Sequence, residues 1–161
     1  MHKATMNNTI RCANAADIDV ISKLLYQVHE IHSTIRPDLF VKGKKKYTNS
    51  ELLSIINDNK RPIFVYEEND IILGYIFCII EDETSDSHTK IRSMYIDDLC
   101  VESASRGHHI GKCLYEYAKE YAKSINCFNI YLNVWEGNEG AKKFYENLGM
   151  KVQKTTFEEI L

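Results

Sequence analysis

The densest run of reactive side chains extends from Asp97 to Lys112: Asp97-Asp98-Leu99-Cys100-Val101-Glu102-Ser103-Ala104-Ser105-Arg106-Gly107-His108-His109-Ile110-Gly111-Lys112. Two adjacent carboxylates stand late in an apolar, strand-like stretch, and a polar, glycine-bearing turn follows. The turn opens a helix whose apolar face is Ile110, Cys113, Leu114, Tyr117, Ala118, Tyr121 and Ala122, with Lys112, Glu116, Lys119, Glu120 and Lys123 on the other face. A helix start leaves about four backbone N–H groups unpartnered and carries roughly half a positive charge. Glycines let the backbone approach an anion, and Arg106 at the lip adds a forked donor, so the arrangement suits a phosphate or pyrophosphate. Lys112 brings further positive charge. A P-loop is excluded, because three residues separate Gly107 from Gly111 and Cys113 stands where its hydroxyl belongs. The G-x-G-x-x-G dinucleotide pattern is absent.

A second informative stretch runs through residues 130–150, with Asn138 ahead of an amphipathic helix that ends Phe144-Tyr145-Glu146-Asn147-Leu148-Gly149-Met150. Taken with Arg106-Gly107-His108-His109-Ile110-Gly111, it resembles the GNAT superfamily of acetyl-CoA-dependent N-acetyltransferases. That family carries Arg/Gln-x-x-Gly-x-Gly/Ala at one helix start and Phe-Tyr-x-x-x-Gly-Phe at the end of a later helix. The opening Asn14-Ala15-Ala16-Asp17 before a helix also looks like the family's start, and the resemblance covers residues 9–157. His109 stands where the family usually has glycine. A positive φ there would cost a histidine about 1–2 kcal/mol.

The resemblance implies direct attack of a primary amine on acetyl-CoA, with no covalent enzyme intermediate and no metal. Such a transfer needs a neutral amine, a stabilised carbonyl oxygen and a protonated leaving thiolate. Tyr145 matches the family's acid. Asp97 is the expected base, acting through water, with Asp98 secondary. The Tyr95-Ile96-Asp97-Asp98-Leu99 run is similar to polyamine and aminoglycoside acetyltransferases. Backbone groups of Leu99, Cys100 and Val101 would bond the pantetheine arm. The turn from Arg106 through Gly107, His108, His109, Ile110, Gly111 and Lys112 would hold the phosphates, with Asn138 and Tyr145 completing the cofactor site. Glu30, Phe40, Tyr95 and Asp98 are expected on the acceptor side, where a small cationic amine or a peptide amine would enter. The alternative is a non-catalytic acyl-CoA-binding regulatory module. The expected partners are an amine acceptor and a second copy in a homodimer, with no nucleic acid and no membrane.

Several elements must position these residues. A strand is expected at 9–12, then an Asn14-capped helix to about His32. A short helix follows at 51–57, capped by Asn49 or Ser50. Runs 63–66 and 71–80 pair across Glu68-Asn69-Asp70 as a hairpin. A long strand at 91–101, a helix from Ile110, a strand at 128–134, a helix at 140–148 stopped by Gly149 and a final strand at 151–157 complete the order. Alternation puts Asp97 and Asp98 on opposite faces of their strand. The fold expected is a single α/β domain over 1–161, one mixed and mostly antiparallel sheet with helices on both faces, and a flexible 1–8.

Composition agrees. The 161 residues suffice for one domain with a real core. A charged fraction of 27% argues against disorder, and a net charge of -3 argues against nucleic-acid binding driven by bulk charge. Five cysteines with no C-x-x-C pair read as reduced, mostly buried thiols of a cytoplasmic protein. The first ten residues lack the apolar core of a signal peptide. The apolar run 71–80 is too short for a bilayer, which takes about 20 residues, and suits a buried strand.

Overall fold

A computed structural model describes residues 8–161. Five strands form one sheet in sequence order: β1 (Asn8–Cys12), β2 (Ile63–Glu68), β3 (Ile71–Asp82), β4 (Arg92–Val101) and β5 (Asn129–Tyr131). The first four pair antiparallel and β4 pairs parallel with β5, the mixed sheet expected. Helices α1 (Ile18–Ile35) and α2 (Asn49–Ile56) cover one face; α3 (Ile110–Ser124) covers the other, where α4 (Glu139–Asn147) packs beside it. Asn8 already belongs to β1, and residues 1–7 of the expected flexible start lie outside the described residues.

Side-chain alternation along β2 and β3 builds two cores. Ile63, Val65, Tyr75 and Phe77 meet Ile21, Leu24, Leu25, Leu52 and Ile55 of α1 and α2. Phe64, Ile76, Cys78, Met94 and Ile96 meet Leu114, Ala118 and Ala122 of α3. The apolar run 71–80 is therefore strand, and no described helix is long and apolar enough to cross a membrane.

Local chemistry sets the boundaries. Asn14 and Asp17 form a reciprocal capping box over a 3-10 turn (Ala15–Asp17) that leads into α1. Arg11 forks onto Asp17 at 2.8 and 3.0 Å and also reaches Glu67, clasping β1, β2 and the start of α1. Asn69 and Asp70 both have positive φ, 50° and 65°, the backbone a two-residue hairpin turn requires. The cap of α2 is Thr48, ahead of both expected candidates, Asn49 and Ser50, because Thr48 and Glu51 complete a capping box.

Three expectations are corrected. β5 is confined to Asn129–Tyr131 instead of 128–134, since it turns away from β4 after three residues. No strand forms at 151–157; beyond Met150 the residues are exposed and join no strand. Only Cys78 and Cys100 are buried, while Cys12 and Cys113 are exposed, so the thiols are free but not mostly buried.

Gly74 marks the closest approach of β3 to the end of β4. A Cβ there would stand 2.9 Å from the Cys100 carbonyl oxygen and 3.2 Å from Leu114. Backbone cannot yield as a side chain can, so Gly74→Ala is expected to destabilise the fold by about 1–3 kcal/mol in urea unfolding. A loss below about 0.5 kcal/mol would mean this contact does not hold β4 in place.

Candidate active site

The site begins with an irregularity in β4. Ile96 pairs with Cys78 and Asp98 with Phe77, which leaves Asp97 as an extra residue in the ladder, a β-bulge. Met94 and Ile96 join the α3 core, and so do Leu99 and Val101, the series resuming three residues beyond Ile96, at Leu99, rather than two. The bulge turns both carboxylates towards α1 and α2. Asp97 accepts a hydrogen bond from the Tyr47 hydroxyl at 2.5 Å, and Asp98 accepts one from the Tyr75 hydroxyl at 2.9 Å. The expectation that they face opposite sides fails because strict alternation does not survive an inserted residue.

β5 accompanies β4 only from Ser93 to Tyr95. Residues 96–101 of β4 thus have no strand on that side. The Glu102 N–H bonds the Leu73 carbonyl across β3, so in the antiparallel ladder Leu99 and Val101 aim their N–H and C=O groups away from β3. Arg106 folds back to donate from Nε to the Val101 carbonyl at 3.2 Å. Cys100 points its thiol at the Leu24 carbonyl; burial pushes that thiol up to about 12, with the Asp98 charge adding to the effect, so it packs and does not react.

The start of α3 adjoins this open edge. α2 and α4 have side-chain caps, Thr48 and Asn138, and Asn14 caps the turn into α1; α3 has none. Its N-terminal residue His109 adopts φ 62°, ψ 11°, the left-handed conformation that glycine favours. The first intrahelical donor is the Cys113 N–H, which leaves those of Ile110, Gly111 and Lys112 free of helix partners. Arg106, Gly107, His108, His109 and Lys112 are exposed around them, while the Ile110 side chain is buried in the core. The His108 ring bonds the Ser105 carbonyl at 3.2 Å and braces the turn. A Cβ on Gly111 would stand 3.2 Å from Phe144, so this glycine lets α4 close on α3. A cleft of about 380 Å³ lies between them, lined by His109, Lys112, Glu116, Phe144, Asn147 and Leu148.

Asn138 caps α4, its Oδ1 accepting from the Ala141 N–H at 3.2 Å. About two turns further Tyr145 is largely covered, yet its hydroxyl makes no hydrogen bond among the described residues. Burial pushes this phenol well above its ordinary value, and the Asp98 charge adds to that.

On the opposite side of β4 the segment between α1 and α2 folds over the carboxylates. Lys46 donates to Asp97 Oδ1 at 2.7 Å and to the Asp97 carbonyl at 3.1 Å. Tyr47 stacks on Phe77 and takes a hydrogen bond from Arg61 at 3.1 Å. Burial holds Asp98 up to about 6, against the opposing pull of Lys46 and Tyr75 and with Asp97 adding. Glu30 does not join the carboxylates; it accepts the Gly43 N–H at 3.0 Å and pins the loop. Phe40 packs against His29, His32 and Trp135, closing an aromatic wall between α1 and the segment after β5. Tyr95 lies beside Tyr131 and takes a hydrogen bond from Asn133 at 3.3 Å.

Sequence reasoning brought Asp97, Asp98, Tyr145 and the α3 start into one region. Lys46 is not among those expected residues; it belongs to a run with Lys42, Lys44 and Lys45, and such a charge run ordinarily reads as a solvated face. The available signal was position: Lys46 and Tyr47 immediately precede the Thr48-x-x-Glu51 box, so the helix start fixes them against the sheet. Trp135 and Tyr75 carried no local signal.

A profile of the Acetyltransferase (GNAT) family matches residues 25–150. Glucosamine 6-phosphate N-acetyltransferase of Arabidopsis thaliana is 30% identical over 90 residues, covering 47% of this chain and 58% of that protein. N-alpha-acetyltransferase 30 of Saccharomyces cerevisiae is 34% identical over 108 residues, covering 66% of this chain and 56% of that protein. The chain spans about half the length of the curated relatives it matches. Among solved structures, a mutant of a Bacillus halodurans protein superposes with a TM-score of 0.90 at 31% identity, over 95% of this chain and 99% of that one.

The left-handed backbone at His109 yields a direct expectation. His109→Gly removes the Cβ clash and should stabilise the fold by roughly 1 kcal/mol in thermal or urea unfolding. A loss of stability would show that the imidazole makes contacts worth more than the strain.

Proposed function

We propose, from the premise that this chain belongs to the Acetyltransferase (GNAT) family, that it is an acetyl-CoA-dependent N-acetyltransferase acting on a primary amine by direct attack. The observation that carries the reading is the open backbone edge of β4 beside an uncapped helix start, with an unpartnered tyrosine hydroxyl nearby. A pantetheine arm suits an edge that offers N–H and C=O groups without a strand beside them. A pyrophosphate suits the free N–H groups of Ile110, Gly111 and Lys112, flanked by Arg106 and Lys112. Leu99 and Val101 would hold the arm. Cys100 would contribute backbone only, and Asn138 would act by fixing the start of α4. Bound acetyl-CoA supplies an activated thioester.

The chain's own residues then divide the work. Tyr145 serves the leaving sulfur as a hydrogen-bond donor: burial keeps the phenol protonated, so its hydroxyl can stabilise the developing thiolate. Asp97 and Asp98 together receive the amine's proton. Asp97 anchors an ammonium, the role Lys46 Nζ now fills at 2.7 Å, and Asp98, poised at about 6, is the member whose protonation is cheap near neutral pH. The acceptor is therefore read as a cationic amine, small or on a peptide, that displaces Lys46 and passes beneath the Phe40–Trp135 wall. We read residues 8–161 as one cytoplasmic domain.

Two measurements test this. A thiol-release assay with acetyl-CoA and a panel of amines should show turnover, and Tyr145→Phe should lower kcat about 100-fold or more with acetyl-CoA affinity nearly unchanged. Acetyl-CoA binding with no turnover on any amine would favour a non-catalytic binding module, and no binding would refute both readings.

The second concerns Asp98→Asn. The wild-type rate should rise with pH through about 6, as Asp98 ionises, and the variant should lose both rate and that limb. Stability moves the other way. Between about pH 4 and 6 the folded chain keeps a proton that the unfolded chain has released, so wild-type stability falls as pH rises through that window. Asn keeps an acceptor for Tyr75 without the buried charge, so at pH above 7 the variant should be more stable by about 1–2 kcal/mol. A destabilised variant with an unchanged pH profile would assign Asp98 to structure.

A further inference from the structure

The segment between α1 and α2 carries Lys42, Lys44, Lys45 and Lys46, and the structure treats them differently. Lys42 and Lys44 are exposed and make no hydrogen bond among the described residues. Lys45 turns towards the helices, donating to Ser22 Oγ at 2.6 Å and to Asn49 Oδ1 at 2.5 Å. Lys46 alone of the four enters the site, its Nζ 2.7 Å from Asp97 Oδ1 and 3.1 Å from the Asp97 carbonyl oxygen. Its backbone is held on both sides: the Gly43 N–H bonds Glu30, and Thr48 caps α2. Tyr47 donates to the other Asp97 oxygen at 2.5 Å. The ammonium is thus delivered to one place. The lysine side chain is nevertheless 41% exposed, and an ion pair with so exposed a partner costs little to open.

That place is the reacting end of the cofactor path, a step that rests on the acetyl-transfer reading. With the pyrophosphate at the start of α3 and the arm along Val101 and Leu99, the thioester end lies beyond Leu99, towards Asp97. Val101 to Asp97 spans about 13 Å of extended strand. Asp97 is the extra residue of the bulge, in the stretch that β5 no longer flanks, and its carbonyl receives the lysine. A primary amine therefore already stands where an acceptor has to stand, on the carboxylate that would anchor it. Its own stem tethers it there, and tethering turns a bimolecular encounter into a unimolecular one.

We propose that Lys46 is itself an acceptor, and that the chain acetylates this lysine in cis. The ammonium first gives one proton to the Asp97–Asp98 pair, which passes it to solvent. The neutral nitrogen attacks the thioester carbonyl carbon; the N–C bond forms, the C–S bond breaks, and the sulfur leaves with the bonding pair. The nitrogen sheds its second proton as the amide forms, and that proton ends on the sulfur as the free thiol of coenzyme A. Lys46 becomes an uncharged amide and no longer pairs with Asp97, so the carboxylate is opened to a cationic acceptor from outside.

The test incubates the full chain with saturating acetyl-CoA carrying an isotopically labelled acetyl group and no added amine. Peptide mass spectrometry follows each lysine at two protein concentrations about 10-fold apart, in the natural chain and in Tyr145→Phe, beside a thiol-release assay with a panel of amines. Lys46 should be acetylated about 10-fold or more faster than Lys42 or Lys44, which lie on the same segment and report plain chemical acetylation. The rate per chain should not change on dilution, and Tyr145→Phe should slow it. An unmodified Lys46 in a chain that binds acetyl-CoA overturns the inference; turnover on added amines in the same sample then shows that the acetyl-transfer reading still stands. Acetyl groups spread evenly over the lysine run also overturn it. So does Lys46 acetylation that slows per chain on dilution, or that runs as fast in Tyr145→Phe. A chain that binds no acetyl-CoA refutes the reading and the inference together.

Discussion

The single extra residue at Asp97 governs the rest of the site. Without it, β4 would alternate strictly and split its two carboxylates between the two cores. With it, both reach the α1–α2 side, while Leu99 and Val101 return to the α3 core just where the strand must support a cleft. β5 then departs after Tyr95, and the backbone of residues 96–101 is left without a strand partner. Unpaired backbone donors and acceptors are costly unless solvated or bound, so this edge is a ready place for an extended ligand arm. Gly74 and Gly111 permit the close contacts that keep it in position, one against the Cys100 carbonyl and the other against Phe144.

The small net charge conceals two opposed fields. On the α3 side stand a helix start without a side-chain cap, Arg106 and Lys112, a positive region. On the α1–α2 side, Asp97 and Asp98 lie under the segment between those helices, and Lys46 rests on Asp97. The lysine matters twice: it offsets like-charge repulsion between the two acids, and it occupies an ammonium position that an acceptor amine would contest. Tyr145 sits between these regions, its hydroxyl unpartnered and its pKa raised by burial and by Asp98.

Much of this was legible in the sequence because it rests on local signals. The Asn14 box, the Asn69-Asp70 turn, the apolar stripe of α3 and the glycine after α4 each fix backbone geometry within a few residues, and the structure has them where expected. The positive φ at His109 was also foreseeable from its place at a usual glycine position. The misses share a cause. A bulge is set by pairing with another strand, so nothing near Asp97 announces it. Lys46 looked like one of several solvated lysines because its partner lies 51 residues away. The segment after Met150 has strand-like composition but no strand beside it, and propensity alone cannot hold an unpaired strand.

The central claim is that the open edge of β4 and the start of α3 together hold acetyl-CoA. Residue-resolved amide hydrogen exchange with and without acetyl-CoA tests it most directly. The account predicts slowed exchange at Leu99, Val101, Gly111 and Lys112, with β1 and β2 unchanged. Saturating acetyl-CoA that leaves those four amides unprotected, or protects a different surface, would contradict it.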